Sequence, residues 1–224
     1  MTTARISNTL MRRGKLPLVV SVIVAALLWF IMFSPWTAPR VSFWACMTAS
    51  AVVLTCFALA FGGRKSLGLE GIGGSSAFIK TLLTGIIIAA ILWGVFYVGD
   101  KLSQLILPFA RPQVDNIYSI KGSLSPTLLG LLLLIVIGPA EEIFWRGYVQ
   151  RTLSAFRNPL FAFIVTTACY TCVHLPSGNF MLIMAALVCG IVWGGLYYLK
   201  PNWLKAIIIS HALWDAAAFV WLPF

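Results

Sequence analysis

Seven apolar stretches of bilayer-spanning length divide the 224-residue chain, at about 16–36, 41–61, 78–99, 126–150, 158–175, 179–199 and 203–222. A helix needs roughly 20 apolar residues to cross the hydrocarbon core. Within lipid the backbone must satisfy its own hydrogen bonds, which leaves helices or a closed barrel. These runs are long and continuous, without the short alternating pattern of barrel strands. The fold class is therefore all-α, a polytopic transmembrane helical bundle of about seven helices. A mean hydropathy of +0.94 agrees, because a single soluble core could not bury that much apolar surface.

The formal net charge of +10 could suggest a nucleic-acid ligand, but the positions of the charges exclude it. If the helices alternate in direction, one set of connections holds Arg5, Arg12, Arg13, Lys15, Arg64, Lys65, Lys80, Arg146, Arg151, Arg157, Lys200 and Lys205. The other set holds Arg40, Lys101, Arg111 and Lys121. Twelve against four orients the chain with its N-terminus cytoplasmic. Together with the compact length, this points to a multi-pass protein of a bacterial inner membrane.

The N-terminal run reads as an uncleaved anchor, since it is of spanning length and lacks a small-residue cleavage site. Residues 62–77 are Gly- and Ser-rich and read as a flexible loop, while residues 100–125 form the longest outer connection, with room for a short interfacial helix. The chain is a single membrane domain: residues 1–125 supply apolar scaffold helices, and residues 126–222 hold the intramembrane polar groups. All five cysteines fall in apolar segments, so neither a disulfide framework nor a redox role for Cys169 and Cys172 is expected. The nine tryptophans suit interfacial belts.

An ionised group at bilayer depth costs at least ~2.5 kcal/mol, so such groups face cavities and find partners. Here they are Glu141, Glu142 and Arg146 in the fourth run, His174 in the fifth, and His211 and Asp215 in the seventh. They include both histidines of the chain and three of its six acids. Glu142 and Arg146 stand four apart on one helical face, acid first, as an ion pair requires. Glu141 points ~100° away from them. His211 and Asp215 share a face, as do Tyr170 and His174, and Pro139 removes a backbone hydrogen bond just ahead of the carboxylates. A hairpin turning at Arg157-Asn158-Pro159 and centred between positions 157 and 158 brings position 174 opposite position 141. His211 fits less well, roughly ten ångströms from that level, a gap that bends at Gly190, Gly194 and Gly195 or a break at 176–178 would close.

Peptide hydrolysis needs a base for water, a donor for the oxyanion and an acid for the leaving amine. A glutamate in low dielectric can take and return that proton, with an imidazole sharing the water. Alternatively, Glu141, His174 and His211 form a three-ligand set for Zn2+. No HExxH occurs, and the favoured arrangement needs no cofactor. Rival functions are a transporter or proton relay, which also buries Glu, His and Asp, and a non-catalytic partner-binding or immunity protein.

Glu-Glu-x-x-x-Arg at 141–146, aromatic-x-x-x-His at 170–174 and His-x-x-x-Asp at 211–215 resemble the motifs of the CAAX-protease and bacteriocin-processing family, glutamic-type intramembrane endopeptidases. The resemblance implies that Glu141 and His174 activate the water. It implies that His211 and Asp215 stabilise the oxyanion, with Glu142, Arg146 and Tyr170 in support. The substrate would be a membrane-anchored protein or peptide, a CAAX-type tail, a sorting tail or a leader. Two positions depart from the family pattern, Tyr170 where Phe is usual and Asp215 where Asn is common. A carboxylate at 215 must be protonated, orient His211 or bind a metal, since it would otherwise repel an oxyanion.

Overall fold

Each apolar run forms a helix, and turn chemistry marks where three of them begin. The structure, a computed structural model, describes residues 3–68 and 74–224. Residues 69–73 and the side chains of Arg5, Arg12, Arg13 and Lys65 lie outside the described residues. The spanning helices are α1 (Thr3–Phe33), α2 (Phe43–Gly62), α3 (Ser75–Ile106), α5 (Pro126–Phe156), α6 (Pro159–Cys172), α7 (Phe180–Leu199) and α8 (Leu204–Ala216). The short α4 (Ala110–Ser119) fills the outer connection as an interfacial helix. The Ser125 and Asn158 side chains accept from the backbone N–H three residues on, each directly before a proline at the first helical position. Asn179 caps α7 in the same way.

Half of the α5 span and 56% of the α8 span are buried, against 17% of the α3 span, so α5 and α8 form the centre of the bundle. The other helices surround them, with α3 against α8, α2 against α5, and α6 and α7 paired as a hairpin. Gly138 permits the central crossing. A Cβ there would lie 2.7 Å from the Ala212 Cα and 2.9 Å from its backbone nitrogen. Small residues at such crossings let backbones approach where lipid provides no hydrophobic drive.

The α5 helix is not uniform. It widens into π form at Leu133–Ile137, returns to α form at Gly138–Glu142 and widens again at Ile143–Gln150. Pro139 lacks the N–H that a regular turn would use, and the wider turn just before it relieves the clash with the preceding carbonyls. The two glutamates therefore sit on one tight turn between two loosened ones.

Three sequence expectations need correction. The α7 helix runs without interruption, so Gly190 and Gly194 are not bends; they face Thr167, Tyr170 and Phe163 and let α6 approach closely. The start of the 62–77 stretch is ordered, because Arg64–Leu67 forms a 3-10 turn with Ser66 buried and its hydroxyl donating to the Ala58 carbonyl. Arg146 belongs to the core and not to a basic connection, so the charge count becomes eleven against four, twelve less one.

Candidate functional site

The tight turn of α5 sends its two carboxylates in different directions. Glu142 is fully buried, and its Oε1 accepts from Arg146 Nη1 at 2.7 Å. The same oxygen lies 2.7 Å from His211 Nδ1 on α8. One carboxylate oxygen thus ties a cation of its own helix to a histidine of the other central helix. The Arg146 guanidinium lies over the Tyr170 ring, 4.8 Å from its centroid, and 5.9 Å from that of Trp193. Trp193 in turn stacks on His211 with centroids 3.9 Å apart, while its indole N–H donates to Ser210 Oγ.

His211 faces a second carboxylate, with Nε2 3.4 Å from Asp215 Oδ2. An oxygen that already accepts from Arg146 makes Nδ1 the protonated nitrogen, donating to Glu142. The His211 ring thus lies between two carboxylates, Glu142 at Nδ1 and Asp215 at Nε2, and Asp215 also lines the cavity.

His174 follows the end of α6 and precedes the 3-10 turn Leu175–Ser177. Its Nδ1 lies 2.8 Å from the Tyr170 carbonyl, an atom that can only accept, so Nδ1 carries the hydrogen. Its Nε2 accepts from the Trp29 indole N–H at 3.3 Å. A tryptophan of α1 thus fixes both the tautomer and the pose of the ring. Trp29, Trp145 and Trp193 are 1%, 0% and 0% exposed. These three do not belong to an interfacial belt, unlike Trp36 and Trp221 at 72% and 54%.

Glu141, Tyr170, His174, His211 and Asp215 all line one cavity of about 470 Å³. Glu141 is buried, and its Oε2 has no hydrogen-bond partner among the described residues. The polar residues of the fourth, fifth and seventh apolar runs, now α5, the end of α6 and α8, therefore gather around one cavity. The bridge from Glu142 to His211 closes the gap that simple counting left open. The scaffold half contributes as well: Phe33, Phe43, Trp44, Phe96 and Asp100 complete the wall.

A zinc ion fits the donors poorly. Both nitrogens of His174 are engaged, by a carbonyl and an indole N–H, and both of His211 face carboxylates other than Glu141. Among the described residues no three His, Cys, Asp or Glu side chains form a metal-binding group. All five cysteines are free thiols, and Cys169 and Cys172 take no part in the site.

Sequence reasoning located every polar member of this cluster but missed Trp29, Trp193 and the Glu142–His211 contact. Trp29 lies well inside the first apolar run, where a belt residue would not sit, and that position was its only signal.

Comparison with known proteins agrees with the motifs. No curated protein and no solved structure matches the chain. Residues 123–217 match a family model described as type II CAAX prenyl endopeptidase Rce1-like. This segment begins just before α5 and ends just after α8, so it encloses all six intramembrane ionisable residues. At residues 123–217 the chain is thus similar to the Rce1-like type II CAAX prenyl endopeptidases.

Proposed function

We propose that this protein hydrolyses a peptide bond of a membrane-associated polypeptide within the bilayer, with Glu141 as the group that activates water. The observation that carries this reading is the unpartnered Oε2 of a buried glutamate, in a cavity shared with both histidines. Two glutamates sit side by side, and one is consumed by Arg146 and His211. The other faces the cavity without such partners, as a general base must.

The reaction then runs as follows. Glu141 takes a proton from a water molecule, whose oxygen bonds to the scissile carbonyl carbon. The carbonyl oxygen becomes an oxyanion, and a proton on His211 Nε2 turns towards it. Glu142 and Arg146 hold His211 in place for that donation. The carbon–nitrogen bond breaks, and Glu141 returns its proton to the departing amine. His174, its two ring nitrogens held by the Tyr170 carbonyl and the Trp29 N–H, packs its ring beside the water and limits where it sits. No metal enters this scheme.

The test is N-terminal proteomics of cells carrying wild type, Glu141→Gln or His174→Ala, followed by kinetics on the purified protein with any substrate so identified. General acid–base catalysis is worth about 10²–10⁴-fold, so Glu141→Gln should lower kcat by that order. Cleavage at the wild-type rate by Glu141→Gln would overturn the reading, and glutamate-dependent ion flux would favour a transporter.

A further inference from the structure

The lining of the cavity extends from Glu141 to one end of the bundle, and the charges say which side of the membrane that end faces. Beyond Glu141 its wall is built from the end of α1 at Phe33, the start of α2 at Phe43, Ser103 on α3, Tyr118 on α4, Phe180 at the start of α7 and Phe219 just past α8. Every one of these positions lies at the same end of the bundle. The connections α2–α3, α5–α6 and α7–α8 all lie at the other end.

Basic residues divide in the opposite sense. Leaving out the first 14 residues, the end away from the mouth has Lys15, Arg64, Lys65, Lys80, Arg151, Arg157, Lys200 and Lys205, eight against Arg40, Lys101, Arg111 and Lys121 at the mouth end. Two of the mouth-end cations are also matched by acids, Lys101 with Asp100 at 3.4 Å and Arg111 with Asp115 at 2.5 Å. The excess of Lys and Arg marks the cytoplasmic side.

We infer that the cavity opens to the non-cytoplasmic side, and that its substrate is a polypeptide presenting an apolar segment on that face. This rests on the endopeptidase reading only for the word substrate; the direction of opening stands on geometry and charge. The amphipathic α4 lies across the mouth at the outer interface, fixed to the start of α7 because the Gln113 side chain accepts from the Met181 N–H and its carbonyl accepts from Asn179 Nδ2. A segment lying in the outer interface meets the aromatic rim, Phe33, Phe43, Phe180 and Phe219, before it meets Glu141.

The test uses full-length protein with its five cysteines replaced, expressed in a bacterial host and checked for monodispersity in detergent. Single cysteines are introduced as Ser103→Cys in the cavity wall and Ser123→Cys in the mouth-end loop, and as Arg157→Cys and Lys200→Cys at the opposite end. A membrane-impermeant maleimide is applied to intact spheroplasts and to inside-out vesicles. Labelling of positions 103 and 123 in spheroplasts, with labelling of 157 and 200 in vesicles alone, is the expected result. Reversed labelling, or labelling of both ends from both sides, overturns the inference. Ser123→Cys is exposed in a loop and reports the side even where Ser103→Cys fails to fold. The labelling needs no catalysis, so it is independent of the Glu141→Gln assay that tests hydrolysis.

Discussion

Two neighbouring glutamates should respond in opposite ways to the same substitution. Glu142→Gln keeps the shape and one acceptor oxygen but removes the charge that balances Arg146, which is fully buried. At a charge separation of about 4 Å and an effective dielectric of 20, that attraction is worth about 4 kcal/mol. Removing one partner of a buried pair typically costs about 3–5 kcal/mol. The Tyr170 and Trp193 faces beside the guanidinium are common to both proteins and leave the difference unchanged. The net loss should then be about 3–5 kcal/mol. Glu141→Gln removes a carboxylate whose Oε2 has no partner and that balances no cation, so it should cost less stability than Glu142→Gln while lowering kcat by about 10²–10⁴-fold. Reversible unfolding in mixed micelles measures both. Equal losses for the two variants, or a loss below about 1 kcal/mol for Glu142→Gln, would refute the assignment of separate roles. A double variant, Glu142→Leu with Arg146→Met, should recover much of the stability but none of the activity, because His211 then loses its Nδ1 partner.

Further substitutions probe the supports of the site. Trp29→Phe keeps the aromatic volume and removes only the N–H donated to His174, so it should cost about 0.5–1.5 kcal/mol of stability and lower kcat with little change in KM; an unchanged kcat would count against it. Gly138→Ala pushes a methyl group onto the Ala212 backbone and should destabilise by about 1–3 kcal/mol, measured by the same unfolding assay. Gly147→Ala drives a Cβ into the Ser66 carbonyl; since backbone is the obstacle, Ser66→Gly should fail to rescue it in thermal stability. Asp215→Asn keeps a donor for His211 and should retain activity, whereas Asp215→Leu should lower kcat by about 10²-fold.

The helices and the polar cluster were legible in the sequence for different reasons. Bilayer thickness imposes a minimum length on apolar runs, so the seven spans could be read without knowing how they pack. Their ends were less legible: α3 continues to Ile106 and α5 to Phe156, because helices persist beyond the hydrocarbon once they leave it. Charge in lipid is costly enough to single out Glu141, Glu142, Arg146, His174, His211 and Asp215 by position alone. What stayed hidden depended on turns that are not 3.6 residues wide. Spacing within 126–156 gives the Glu142–Arg146 pair, but the Glu142–His211 contact joins two helices, and the turn that carries it lies between two π stretches that no sequence spacing announces. Pro139 marked the irregularity, but a proline states that a hydrogen bond is missing and not which way the turn relaxes.

The same limit applies to Trp29, and it bears on how the site is built. A tryptophan in an apolar run carries no sign of which polar atom its N–H will meet. Its partner lies 145 residues away, so the contact exists only once α1 is packed. Residues 123–217 contain every ionisable group of the cluster, yet the ring of His174 is fixed by a helix outside that segment. The first three helices therefore do more than fill the membrane around the second half. They fix one histidine and supply the aromatic rim at Phe33 and Phe43. A chain cut back to residues 123–217 would retain Glu141, Glu142, His174, His211 and Asp215, but it would lose the indole that defines the His174 tautomer and the part of the cavity wall built by Phe33, Phe43, Trp44, Phe96 and Asp100.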